Sequence, residues 1–267
     1  MYFSGTGNTK LIAISIADFM LHRGHKVELR SIEDDDFADT LDEFDLIGFG
    51  FPVYAWRAPK FFVKRLQENF PESIDLPAFI FNTRAIASWW ANYYIALLLQ
   101  KKGMEIIDSA NFTTPPNDWM ALFREDNSLV ERHVKFDDDI FDSVEFFSER
   151  VIRRVQTGFR HLNLAGNILG IFVSNFGNLL GKGLFWIISK LWSVDKNLCT
   201  SCRYCVENCP SGNIEMVQDS RNGKNYPIWN NDCIYCFRCI NYCPEEAILL
   251  TGLSKGKYRY RLKTGVK

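Results

Sequence analysis

The chain has 267 residues, 24% charged and 47% hydrophobic. That is the composition of a folded globular protein, and it excludes a disordered tail, a collagen-like fibre or a low-complexity chain. With 31 Lys and Arg against 32 Asp and Glu the formal charge is −1, too little positive charge for a general nucleic-acid binder. The length fits one or two domains.

In chain order, residues 2–4 read as a short first strand. The next stretch predicts a helix over 8–23, where Leu11, Ile12, Ser15, Ile16 and Phe19 form one stripe and Gly24 provides the stop. VELRSI at 27–32 alternates as a strand does, and EDDD at 33–36 reads as a solvated turn. DLIGFGFPV at 45–53 is the nearly continuous apolar run expected of a strand buried on both faces. A helix follows over 59–70 with Pro59 in its first turn. LPAFIFNT at 76–83 is a further buried strand, 88–102 a helix ended by Gly103, 104–112 a fifth strand, and 136–156 an amphipathic helix. Five strands separated by helices predict an α/β domain over 1–156, a five-stranded doubly wound parallel sheet with helices on both faces.

Residues 157–193 are apolar, nearly uncharged and dotted with Gly and Asn. A membrane span needs about 20 predominantly apolar residues, and Asn163, Asn167, Ser174, Asn175, Asn178 and Lys182 interrupt this run. The segment reads as an apolar helical linker rather than a membrane span. The alternative is an interfacial helix making peripheral membrane contact. A cysteine-bearing domain follows over 194–251, and a basic tail over 252–267 reads as a frayed, solvated end.

All eight cysteines lie between Cys199 and Cys243. A secreted disulfide scaffold spreads its cysteines through a short chain, and MYFSGTGNTK has no signal-peptide pattern. A reducing, cytoplasmic compartment and a metal-bearing domain fit better. The spacing is C-x-x-C-x-x-C-x-x-x-C-P, twice, as CTSCRYCVENCP and CIYCFRCINYCP, the second 34 residues after the first. Zinc sites typically combine two two-ligand elements. Three thiolates at i, i+3 and i+6 instead wrap one face of a compact cluster and leave a fourth corner open.

These paired motifs resemble those of bacterial two-cluster ferredoxins over 194–250. The resemblance implies a small α+β domain carrying two [4Fe–4S] clusters in which each fourth cysteine ligates the other cluster. Cys199, Cys202, Cys205 and Cys243 would hold one, and Cys233, Cys236, Cys239 and Cys209 the other. Ile214 and Ile248, five residues after each fourth cysteine, would cover the clusters with apolar bulk.

At the other end of the chain, SGTGNT at 4–9 lies between strand and helix. Ser4, Thr6 and Thr9 supply hydroxyls, Gly5 and Gly7 permit tight turning, and the helix N-terminus suits a phosphate. The loop matches neither the P-loop nor the G-x-G-x-x-G spacing. Ligands of doubly wound sheets bind beyond the carboxyl ends of the strands. There PVYAWRAP and NTRAIASWW bring Tyr54, Trp56, Trp89 and Trp90, planar side chains able to sandwich an isoalloxazine ring or simply to pack. Together these residues resemble the flavodoxin family over 1–156. The resemblance implies FMN, with Ser4, Gly5, Thr6, Gly7, Asn8 and Thr9 around its phosphate and Pro52, Val53, Tyr54, Asn82, Thr83 and Arg84 near its ring.

As a whole the chain resembles the flavodoxin–ferredoxin fusion proteins found mainly in anaerobes. That implies an electron carrier with redox-protein partners. Two alternatives stay open: a flavin-dependent reductase of a quinone or nitro compound supplied by the clusters, and a ferredoxin with a flavin-free docking domain. No catalytic constellation stands out. His22, His25, His133 and His161 are scattered, and the acidic runs at 33–36 and 137–139 read as solvated faces.

Overall fold

The structure is a computed structural model that describes residues 1–88, 90–159 and 191–262. These form two compact units, one of residues 1–114 with 136–159, the other of 115–135 with 191–262. The linker reading over 157–193 falls almost wholly outside the described residues. Among the described residues no helix is long and apolar enough to cross a membrane.

The first unit contains α1 (Asn8–His22), β1 (Ile47–Pro52), α2 (Lys60–Asn69), β2 (Pro77–Arg84), α3 (Ala91–Lys101), β3 (Glu105–Thr113) and, after the 115–135 excursion, α5 (Ile140–Gln156). β1, β2 and β3 are parallel neighbours in that order. Tyr2 makes parallel bridges both to Ser31 and to Gly50 in β1. The strand positions therefore run second, first, third, fourth, fifth, a flavodoxin-like doubly wound order with its switch point between Tyr2 and β1. Residues 2–4 and 27–32 do not become full strands. Tyr2 bridges on both sides and Ser31 once, and the Tyr2–Ser31 bridge is secured by Tyr2 N donating to Arg30 O at 2.9 Å and Ile32 N to Tyr2 O at 2.8 Å.

Helices cover both faces. Ile12 and Ile16 of α1 and Val144, Phe147 and Val151 of α5 pack with Phe79 and Phe81 of β2. On the opposite face Phe51 meets Phe62 of α2 at 5.2 Å between ring centroids, and Phe49 meets Phe70 at 5.6 Å. The IGFGF run of β1 explains this division. Its phenylalanines point one way, and its glycines leave room on the other for the rings of β2. A Cβ at Gly50 would lie 2.1 Å from Phe81 Cζ, and one at Gly48 2.2 Å from Phe79 Cζ. α5 is anchored to β3 by buried Asp108, which accepts from Arg150 Nε at 2.7 Å and Nη2 at 2.9 Å.

The second unit repeats itself. β4 (Trp192–Val194) pairs antiparallel with β7 (Ile248–Leu250), and β5 (Ile214–Gln218) with β6 (Asn225–Trp229). Short helices α6 (Tyr204–Glu207) and α7 (Arg238–Tyr242) carry the third cysteine of each motif, Cys205 and Cys239. Two segments belong here that the sequence division leaves elsewhere. Residues 115–135, including a 3₁₀ turn (Trp119–Leu122) and α4 (Ser128–His133), pack with this unit. The stretch after Thr251 is not a frayed end as far as Arg261. Ser254, Arg259 and Tyr260 are buried, Tyr258 N donates to Phe123 O at 2.8 Å, and Arg259 Nη2 donates to Ser254 O at 3.0 Å. The tail contains aromatics between its basic residues, and the unit buries Tyr260 together with its neighbour Arg259.

Gly50→Ala is expected to destabilise the first unit by about 1–3 kcal/mol through overpacking against Phe81. Adding Phe81→Leu should recover part of that loss. Urea unfolding followed by near-UV circular dichroism measures both, and an unchanged midpoint for Gly50→Ala would contradict the close approach.

Candidate cofactor sites

Four of the residues between the cysteines adopt backbone conformations that favour glycine, although none is glycine. Ser201 (φ 59°) and Arg203 (φ 64°) flank Cys202, and Tyr235 (φ 58°) and Phe237 (φ 57°) flank Cys236. Each such residue costs roughly 1–2 kcal/mol, a strain that persists only where the surroundings impose it. The reversals curl each triplet so that its sulfurs face inward and the amides follow. Tyr235 N donates to Cys233 Sγ at 3.4 Å, and Asn213 N to Cys209 Sγ and Ala247 N to Cys243 Sγ, both at 3.3 Å.

The result is two cavities. Cys199, Cys202, Cys205 and Cys243 line one of about 350 Å³. Cys209, Cys233, Cys236 and Cys239 line the other, of about 330 Å³. Each therefore gathers three cysteines of one motif and the fourth of the other. Ile248 lines the first cavity and Ile214 the second. All eight cysteines are free thiols. Among the described residues no three His, Cys, Asp or Glu groups converge as single-ion ligands. The sulfurs ring a space, which suits a multi-atom cluster better than a lone tetrahedral ion.

Burial governs these thiols. Burial and the neighbouring Cys243 sulfur push Cys205 up to about 11. Burial pushes Cys236 up to about 12 and Cys239 well above the ordinary thiol value. Such groups hold their protons at neutral pH, and a metal bound there would have to displace them, because the metal ligand is the thiolate.

The 115–135 segment reaches the second cavity through an asparagine relay that sequence reading missed. Asn117 Nδ2 donates to Cys236 O at 3.1 Å, buried Asn241 Nδ2 donates to Asn117 O at 2.8 Å, and Tyr260 N donates to Asn241 Oδ1 at 2.8 Å. One side chain thus ties the segment, the second motif and the tail together.

In the first unit the loop at 4–9 leads into α1. Ser4, Thr6, Asn8 and Thr9 are buried, and Ser4 Oγ accepts from Gly7 N at 3.1 Å. Gly7, with φ 104°, is the N-cap of α1 and as a glycine offers the first-turn amides no side-chain acceptor. Thr9 and Thr83 share a hydroxyl hydrogen bond of 2.7 Å, which fixes this loop to the end of β2.

The expected ring residues divide into three groups. Asn82 and Thr83 point inward: Asn82 Nδ2 donates to Asn92 Oδ1 at 2.7 Å and Asn111 Oδ1 at 2.6 Å. Arg84 Nη1 reaches Ser88 Oγ at 2.9 Å, and Ser88 reaches Asn111 Oδ1 at 2.8 Å. Pro52 and Val53 continue β1, and Val53 N donates to Thr83 O at 2.8 Å. Tyr54 and Arg57 close a two-residue turn in which Ala55 (φ 49°) and Trp56 (φ 63°) are both left-handed, holding Trp56 40% exposed. Trp90 packs edge-on against Tyr93 at 6.2 Å. Trp89 lies outside the described residues. The supporting residues Ser88, Asn92 and Asn111 were not anticipated. Their signal was polar side chains at the ends of apolar strands and at the start of a helix.

The fold and cavities define a flavodoxin-like α/β unit joined to an iron–sulfur electron-transfer unit. Residues 198–247 match the 4Fe-4S dicluster domain family. The same region is similar to an uncharacterised ferredoxin of Methanocaldococcus jannaschii, 37% identical over 57 residues, 21% of this chain and 73% of that protein. It is also similar to a ferredoxin of Pyrobaculum islandicum, 38% identical over 55 residues, 21% of this chain and 48% of that protein, so this chain spans about half the length of that relative. Through this region the chain belongs to the 4Fe–4S ferredoxins. A flavodoxin from the domain Archaea matches in structure at 16% identity, covering 58% of this chain and 95% of that one, with a TM-score of 0.42.

Asn241→Ala should detach both the 115–135 segment and the tail, costing about 1–3 kcal/mol for the buried groups it strands. Limited proteolysis should then cut near residues 124–127 and beyond 252 faster than in the parent protein. Unchanged cleavage at both places would contradict the relay.

Proposed function

We propose that the protein is an electron carrier binding FMN in its first unit and two [4Fe–4S] clusters in its second, exchanging electrons with protein redox partners. The observation that carries this reading is the sorting of eight free thiols into two four-cysteine cavities, each built from both motifs. Cys199, Cys202, Cys205 and Cys243 would hold one cluster and Cys209, Cys233, Cys236 and Cys239 the other. Bound FMN supplies one- and two-electron chemistry, and each cluster supplies one-electron chemistry.

The chain's own residues do the positioning. Amides of Tyr235, Asn213 and Ala247 already aim at sulfur and would stabilise the negative charge of bound clusters. Ile214 and Ile248 keep water from the cavity walls. In the first unit the amides and hydroxyls of Ser4, Gly5, Thr6, Gly7, Asn8 and Thr9 would receive the FMN phosphate. Trp56, exposed on its left-handed turn, offers a face to the ring, and the Arg84–Ser88–Asn111 chain steadies the floor beside it. A turn that holds two non-glycine residues at positive φ costs stability, and holding an indole out for stacking accounts for the expense.

Protein purified without oxygen should contain about eight iron, eight sulfide and one FMN per chain. Gly7→Ala, which forces a side chain into φ 104°, should weaken FMN binding at least about tenfold, the equal of about 1.4 kcal/mol, with the iron count unchanged. Equilibrium titration of FMN fluorescence measures this. Full iron and sulfide with no FMN binding would overturn the flavin half of the reading.

A further inference from the structure

The two cysteine motifs repeat, but the walls around their cavities do not. Trp192 and Trp229 stack at 6.0 Å between centroids with their planes 16° apart. Both line the cavity of Cys209, Cys233, Cys236 and Cys239, as does Asn213. The indole Nε1 of each tryptophan and Nδ2 of Asn213 are buried, and among the described residues none of the three has a hydrogen-bond partner. An unsatisfied buried N–H is costly, and native proteins rarely keep one. Three around a single cavity call for acceptors inside it. The wall supplies no oxygen to them, and sulfur is what that cavity gathers. Cys233 and Cys239 line the same cavity as both indoles.

The first cavity lacks this feature. Its lining includes Met216, Pro227 and Pro244, and among the described residues it has no buried side-chain N–H left without a partner. The repeat breaks at these positions: 34 residues after Trp192 stands Tyr226, and 34 before Trp229 stands Asp195. The corresponding cysteines also differ in exposure, since Cys202 of the first motif is exposed and Cys236 of the second is buried.

Resting on the cluster reading above, we infer that Trp192, Trp229 and Asn213 donate hydrogen bonds to the sulfurs of the cluster in the second cavity and raise its reduction potential above that of the first. Hydrogen bonds to sulfur stabilise the extra negative charge of the reduced form, a recognised control of cluster potential. The consequence is directional. One electron entering at the first cluster, on the side of exposed Cys202, passes to the second, the first being oxidised as the second is reduced, with no bond made or broken. The second cluster is the storage site and the first the port.

The test is an anaerobic redox titration of the full chain, followed by electron paramagnetic resonance, for the parent protein and for Trp192→Phe and Trp229→Phe. Phenylalanine keeps an aromatic ring in the stack and removes the N–H. In the parent, one cluster should reduce before the other. In each variant the reduced-to-oxidised ratio of that cluster at a fixed potential should fall about tenfold, about 59 mV for a one-electron couple, while the other cluster's midpoint stays in place. Midpoints that do not move, or two that move equally, would overturn the inference. If a variant loses its second cluster, the parent protein labelled with ¹⁵N in its indoles answers the same question. Electron spin-echo modulation of the first-reduced cluster should contain a ¹⁵N coupling, and its absence would overturn the inference. A parent protein free of iron and sulfide would overturn the cluster reading itself, a different failure from unmoved midpoints in a loaded protein.

Discussion

The second unit depends on having its thiols in its own core. Cys199, Cys205, Cys233, Cys239 and Cys243 pack with Trp192, Phe237, Ile240, Ile248 and Leu250 in one hydrophobic cluster. A unit this small cannot bury much apolar surface, and part of what it does bury forms the walls of two cavities. Its packing is therefore coupled to what fills them. Protonated thiols leave those walls short of contacts, whereas metal-bound thiolates would knit together both halves of the repeat. The crossed grouping matters here, since each cavity draws on both motifs and neither half can be completed alone. Binding of this kind contributes directly to folding.

The same constraint accounts for the backbone. A spacing of three residues between sulfurs that must converge forces the chain to reverse at each step, hence Ser201, Arg203, Tyr235 and Phe237 at positive φ. It also accounts for the additions around the unit. The 115–135 segment and the tail as far as Tyr260 converge on Asn241, which lies in α7 immediately after the second triplet. They extend a core that the cysteine domain alone could not build.

Legibility in the sequence followed physical range. The cysteine motifs carry their chemistry in local spacing, the resemblance to two-cluster ferredoxins implied the crossed sets of four, and the two cavities are lined by those same cysteines. The apolar strands over 45–53, 76–83 and 104–112 were legible because burial on both faces leaves a continuous hydrophobic run, and they became β1, β2 and β3. The strands at 2–4 and 27–32 were overread. Extended structure was expected there, but the pairing amounts to isolated bridges, from Tyr2 to Ser31 and to Gly50. What stayed hidden depends on contacts distant in sequence. Asn117 and Asn241 stand more than a hundred positions apart and meet at 2.8 Å. Trp192 and Trp229 looked like unrelated bulky residues until the fold stacked them beside the second motif. Likewise the tail after Thr251 was read by its charge, and its aromatics decided its placement.

The central claim is that the second unit holds two clusters whose fourth ligands are exchanged between the motifs. The most direct measurement is the resonance spectrum of reduced, anaerobically prepared Cys209→Ala, with its iron and sulfide content. The account predicts loss or conversion of the cluster held by Cys233, Cys236 and Cys239, with the cluster held by Cys199, Cys202, Cys205 and Cys243 retained. Retention of the former and loss of the latter would mean that each motif serves its own cluster, and would contradict it.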